Sequence, residues 1–149
     1  MPIRTRSPAE AGVLLLAGRG RSGGGTRRLA DFARAGVCRN GVAGQATADR
    51  MAAESRKRSY DALVLLGDLV YEDGDADLTE RVVSEPFAPL TDDGAELLPV
   101  LGNHDYRSGE QQQILARLGR QSPWYSEQVG PLRVIVLDSM RVEDREQTA

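Results

Sequence analysis

Short apolar runs alternate with amphipathic stretches along this chain, and glycine or acidic residues close most of the runs. Residues 13–17, 62–66 and 97–101 are continuous apolar segments, and 132–137 is apolar apart from Arg133, the pattern of buried strands. Residues 124–129 read as a further extended strand, and Gly130-Pro131 as the turn joining it to the run at 132–137. Ala46, Met51, Ala52 and Ala53 interleave with Arg50, Glu54, Arg56 and Lys57, which predicts an amphipathic helix from Gln45 onward, leading into the strand at 62–66. Asp77 with Glu80, and Ser108 with Gln111, have capping-box spacing and predict two more helices. The first would bury Leu78, Val82 and Val83 and end at Pro86 and Pro89; the second would turn Ile114, Leu115 and Leu118 inward and stop at Gly119. Leu29, Phe32 and Ala33 could line one face of a short helix, although Arg39-Asn40-Gly41 and Gly44 interrupt that pattern. Asp144 with Gln147 is a third capping signature; it predicts a helix start just before Ala149 and hence a chain cut short. Helix followed by strand, repeated without linker or internal repeat, indicates one α/β domain.

Composition narrows the class. At 149 residues the chain can bury a substantial core. Its single cysteine, Cys38, excludes an internal disulfide and a cysteine-based zinc knuckle, and fits a reducing, cytoplasmic setting. No apolar run approaches the roughly 20 residues that cross a bilayer. Arg4 and Arg6 ahead of residues 11–17 loosely follow a secretion signal, but Glu10 and the lack of an Ala-x-Ala site oppose it. The net charge of −3 is unevenly spread: residues 1–58 hold twelve basic and four acidic side chains, and residues 59–149 hold seven and eighteen. The basic front has no aromatic residue interleaved before Phe32, and the acidic remainder suits cations, so neither nucleic acid nor membrane is an expected partner. Gly18, Gly20 and Gly23 form a G-x-G-x-x-G within a glycine cluster, a pattern that cradles a dinucleotide pyrophosphate, but no acidic residue ends a second strand at the required distance.

The candidate chemistry lies where two apolar runs stop. Residues 62–66 are followed by Gly67-Asp68-Leu69-Val70-Tyr71, and residues 97–101 by Gly102-Asn103-His104-Asp105. Ligands in open α/β sheets bind outside the carboxyl ends of the strands, so both segments point to one place. Carboxylate, phenolate and amide oxygens are hard ligands suited to Fe, Mn, Mg or borderline Zn. Asp68 has two oxygens and could bridge a pair of cations, which together would lower the pKa of a bound water and clamp an in-line displacement at phosphorus. His104, the only histidine, could protonate a leaving alkoxide with Asp105 orienting its ring. Asp73, Asp75 and Asp77 read as a solvated acidic loop.

These two segments resemble the second and third motifs of the calcineurin-like metallophosphoesterases, and Tyr71, three residues after Asp68, is similar to the purple acid phosphatase branch. The resemblance implies an α/β fold, a partial metallophosphoesterase-type β-sandwich flanked by helices in α-β-β-α layers. It implies that residues 1–44 are an atypical Arg/Gly-rich leader and that residues 45–149 are the front part of the domain. By the same resemblance, Asp68 bridges two metals (Fe, Mn or Zn), Tyr71 binds the first and Asn103 the second. His104 contacts the phosphate of a phosphate-ester substrate, and a metal-bound hydroxide attacks phosphorus. The sequence departs from the family twice. Gly18-Arg19-Gly20 follows the run at 13–17 where an aspartate is expected, and no histidine follows His104. Three readings therefore stand: a metal-dependent phosphoric-ester hydrolase, a non-catalytic remnant acting as a binding module, and a nucleotide-binding α/β domain.

Overall fold

A computed structural model describes residues 32–35, 42–141 and 143. The strand expected at residues 13–17, the glycine cluster and the capping signature at Asp144 lie outside them. Five strands and three α-helices follow in chain order: β1 (Phe32–Ala35), α1 (Val42–Ser55), β2 (Ala62–Leu66), α2 (Glu85–Thr91), β3 (Glu96–Val100), α3 (Gln111–Arg117), β4 (Tyr125–Val129) and β5 (Leu132–Val136). β1, β2 and β3 form a parallel sheet in that order, and β4 and β5 form a separate antiparallel hairpin. Among the described residues no helix is long and apolar enough to cross a membrane.

Side-chain alternation along the parallel strands divides the interior in two. Leu63 and Leu65 face a cluster with Ala48 of α1, Phe87 and Leu90 of α2, and Ile114 and Leu115 of α3. Ala62 and Val64, with Leu98 and Val100 of β3, face Val129, Val134 and Val136 of the hairpin. The result is helices on a parallel sheet on a second sheet, an α/β architecture. A sheet buried on both faces explains why β2 and β3 read as unbroken apolar runs. Pro99 stands in β3, at an edge of the three-stranded sheet, where its missing N–H disturbs the ladder least.

Five local expectations are corrected. Phe32 and Ala33 belong to a strand and not to a helix: β1 pairs in parallel with β2, Phe32 opposite Ala62, and sheet pairing outweighs a weak helical spacing. α1 begins at Val42, running through Gly44, and Ala46 is exposed while Ala48 carries the buried contact. The cap expected from Asp77 comes from Asp75, whose Oδ1 accepts the Asp77 N–H at 2.9 Å ahead of a single 3-10 turn at Ala76–Leu78. The chain then passes through a π turn at Glu80–Ser84 into α2, so Pro86 and Pro89 lie inside the helical segment they were expected to end. Pro86 occupies the first turn of α2, and Val83, Phe87 and Leu90 hold the segment against the core. Finally, α3 starts after Glu110 with no side-chain cap, while Ser108 Oγ accepts from the Glu110 N–H at 3.1 Å and donates to the Gly74 carbonyl. Ile114, Leu115 and Leu118 do face inward, and Gly119, at φ +75, ends the helix as Arg120 donates back to the Leu115 carbonyl at 2.8 Å.

Arg120 joins the two sheets. Its side chain, 15% exposed, pairs with Glu96 of β3 at 3.1 Å and with Glu127 of β4, and donates to the Leu97 carbonyl at 2.9 Å. The guanidinium lies 4.6 Å above the Tyr125 ring, and the Tyr125 hydroxyl donates to the Pro99 carbonyl at 2.8 Å. Burial works against the charge of Arg120, yet its hydrogen bonds to Glu96 and Glu127 hold its pKa above the ordinary value. The fork shape of the guanidinium suits it to several acceptors at once. Arg120→Met is expected to keep the apolar stem but to lower stability by about 1–2 kcal/mol, since both carboxylates can rehydrate. Urea denaturation followed by circular dichroism measures this, and an unchanged midpoint would contradict the assigned role.

Candidate active site at the carboxyl ends of β2 and β3

Both motif segments leave the same edge of the parallel sheet. The Gly67 N–H extends the ladder to the Val100 carbonyl at 3.0 Å, and then Gly67 (φ 74) and Asp68 (φ 50) take left-handed conformations in succession. Glycine reaches that region without cost, and aspartate is among the few other residues that tolerate it. The sharp turn places the Asp68 carboxylate over Gly102, where any Cβ would strike both the backbone nitrogen and the carboxylate of Asp68. Gly102 is therefore more than a strand terminator; it is the surface on which Asp68 rests.

Asp68, Tyr71 and His104 are brought together. The Tyr71 hydroxyl donates to Asp68 Oδ2 at 2.7 Å, and the His104 backbone N–H donates to Asp68 Oδ1 at 3.1 Å. The Tyr71 and His104 rings are tilted against each other with centroids 4.4 Å apart. Asn103 is half-buried at the start of the single 3-10 turn His104–Tyr106, on the same edge. His104 is 7% exposed, and its Nδ1 lies 2.5 Å from the Glu72 carbonyl oxygen. A carbonyl can only accept, so Nδ1 carries the proton and Nε2 is the atom that can take up or deliver another.

Asp105 does not orient that ring. Its carboxylate, on a residue with no exposure, accepts three backbone N–H groups: Leu69 at 3.1 Å and Gly102 at 2.8 Å on Oδ2, and Val70 at 2.9 Å on Oδ1. Burial pushes its pKa up; the amides of Gly102, Val70 and Leu69 pull it down, and the Asp68 carboxylate adds to the upward push. The expected partnership of neighbours in sequence is thus replaced by one across about 35 residues.

Further bonds stitch the loop after β2 to the loop after β3. Ser108 Oγ donates to the Gly74 carbonyl at 2.6 Å, the Ser108 N–H to Asp73 O at 2.7 Å, and the Ala76 N–H to Glu110 Oε2 at 2.9 Å. Arg107 reaches the Glu72 carbonyl at 3.2 Å. Gly74 (φ +75) allows the loops to touch, since a Cβ there would lie 2.8 Å from the carbonyl oxygens of His104 and Asp105. Asp73, Asp75 and Asp77 are exposed, and Asp77 pairs with Arg117 at 2.5 Å, in keeping with a solvated loop. At the end of β5, Asp138 is buried and accepts from the Tyr106 hydroxyl and from the Met140 N–H at 2.9 Å. Burial, and then this bond to Asp138, raise the Tyr106 phenol well above its ordinary pKa. The aspartate closing the run at 132–137 was the one sequence signal that could have identified this contact.

The donors suit one flank of a hard cation. Asp68, Tyr71 and Asn103 supply oxygen, and the proton that Tyr71 now shares with Asp68 is one that a cation could replace. Three donors fall short of the six or so that such ions usually take, and among the described residues no three His, Cys, Asp or Glu side chains converge.

Gly102→Ala tests the contact on which this geometry rests. It is expected to cost roughly 2–4 kcal/mol, as for overpacking against backbone, and to shift the amide resonances of Leu69 and His104. A variant with wild-type stability and spectrum would show that Asp68 does not rest on Gly102.

The family model described as calcineurin-like phosphoesterase matches residues 41–144, more than half of the chain and every residue of this site. Neither the curated proteins nor the solved structures contain a match. Matched by its sequence across the three helices, strands β2 to β5 and both strand-end loops, the chain belongs to the calcineurin-like phosphoesterase family.

Proposed function

We propose that this chain is a metal-dependent hydrolase of phosphoric esters, of the phosphatase type. One observation carries the reading: Asp68 and Tyr71 of one loop meet His104 of another, 36 residues beyond Asp68, at the carboxyl ends of adjacent parallel strands and in hydrogen-bonded order. Family membership supports the reaction class. Asp68, Tyr71 and Asn103 would hold the metal, which when bound would supply Lewis acidity toward water and the phosphoryl oxygens. Tyr71 also supports kinship with the purple acid phosphatase branch.

The chain's own residues have separable tasks in this reading. The Glu72 carbonyl fixes the His104 tautomer, so Nε2 can hold the proton that a departing alkoxide needs. The Asp68–Tyr71 bond orients the carboxylate before any ligand arrives, which lowers the reorganisation required on binding. A phosphate ester approaching this edge would meet the half-buried Asn103 side by side with His104.

A second reading, a binding module without catalysis, is favoured by the small donor set and by the presence of only one histidine in the chain. Metal analysis of the purified chain, with a chromogenic phosphate monoester assay, separates the two. In the hydrolase reading the wild type holds metal stoichiometrically and turns over. Asp68→Ala then loses both, while His104→Ala keeps its metal and loses about 10²–10³ in kcat. Absence of metal and of turnover in the wild type would leave the binding module.

A further inference from the structure

We propose that Asp105 is the positioning residue of this site: by holding the main chain on both sides of the strand-end crossing, it sets where Asp68 stands relative to His104. The proposal draws on the hydrolase reading only for what the positioning serves. Asp105 is fully buried and touches no surface that a substrate could reach, so it acts through other groups. Its partners are informative. Leu69 and Val70 immediately follow Asp68, and Gly102 begins the loop that bears Asn103 and His104. One carboxylate thus binds the exit of the first loop and the entry of the second. Leu69 and Val70 are themselves buried in the core, so the exit is fixed at both its backbone and its side chains.

The bond that senses this arrangement is separate from it. The His104 N–H donates to Asp68 Oδ1, and neither group contacts Asp105 through a hydrogen bond. Further out, Ser108, Glu110 and Arg107 hold the same two loops together by other means. Loss of Asp105 should therefore leave the loops docked while the Asp68–His104 register loosens. Charge-assisted bonds of this type are about twice as strong as neutral ones, and an amide replacement can satisfy only part of the set because its NH₂ meets an N–H donor.

The test compares amide hydrogen exchange in the wild type, Asp105→Asn and Arg120→Met, the last weakening the fold far from the site. If Asp105 positions the site, the Leu69, Val70 and His104 amides of Asp105→Asn exchange at least about tenfold faster than in Arg120→Met, at matched global stability. If the His104 amide moves no more than in Arg120→Met, Asp105 is merely structural and the proposal is overturned. Should Asp105→Asn not fold, Asp105→Glu, which keeps the charge and displaces it by one methylene, is read in the same way. A Mn²⁺ titration of the same proteins adds an independent readout, with affinity in Asp105→Asn expected to fall about tenfold while Arg120→Met retains it. A wild type that binds none of Mn²⁺, Fe²⁺ or Zn²⁺ and turns over no phosphate monoester, but shows the His104 exchange effect, would remove the hydrolase reading and leave the positioning role standing.

Discussion

A single buried carboxylate holds the working edge of this protein together. Asp105 accepts three backbone N–H groups from two segments that the chain separates by more than thirty residues. Those N–H groups lie just past strand ends, where the ladder no longer satisfies them, and leaving them unpaired in a buried setting would cost about 1–3 kcal/mol each. An ionised acceptor offsets that cost at the expense of its own desolvation, which is why burial and hydrogen bonding pull its pKa in opposite directions. The position of Asp68 over Gly102, and of His104 beside Tyr71, follows from this attachment.

The layers behind the edge make it rigid. The parallel sheet is buried on one face by helices and on the other by the β4–β5 hairpin, so strand ends cannot drift independently. Arg120 spans the two sheets on one side of the domain, while Tyr106 and Asp138 join the loop after β3 to the end of β5. Three strand ends are in this way tied to one another by side chains and main chain together. Preorganisation of this type is what allows a site to act without ordering costs at the moment of binding.

Much of this was legible beforehand, and the failures have definite physical causes. β2 and β3 were readable because a strand covered on both faces must be apolar throughout, and Gly67-Asp68 and Gly102-Asn103-His104-Asp105 marked the ends of those runs. Asp68 and Tyr71 proved to be in contact, and α3 buried the three residues its periodicity indicated. Phe32 and Ala33 misled because four residues carry too little pattern to separate strand from helix, and only pairing with β2 decides. Asp77 and Ser108 misled because capping residues are also good turn formers, and tertiary partners one loop away claimed Ser108. The role of Asp105 was invisible for a different reason. Its acceptors' partners are backbone groups, which every residue has, so nothing in the side-chain sequence announces them.

The left-handed turn at Asp68 carries a consequence for how such a domain can change over time. Its conformation is set by Gly67, Gly102 and the amides held behind it, and asparagine or glycine would adopt it as readily as aspartate. A one-atom exchange there, oxygen for nitrogen, would remove the carboxylate charge while the turn, the sheets and the core kept their places. Loss of chemistry and loss of architecture are thereby uncoupled in this fold. A chain carrying that exchange would keep the fold without the carboxylate, so the identity of residue 68 says more about the chemistry open to such a chain than its overall shape does.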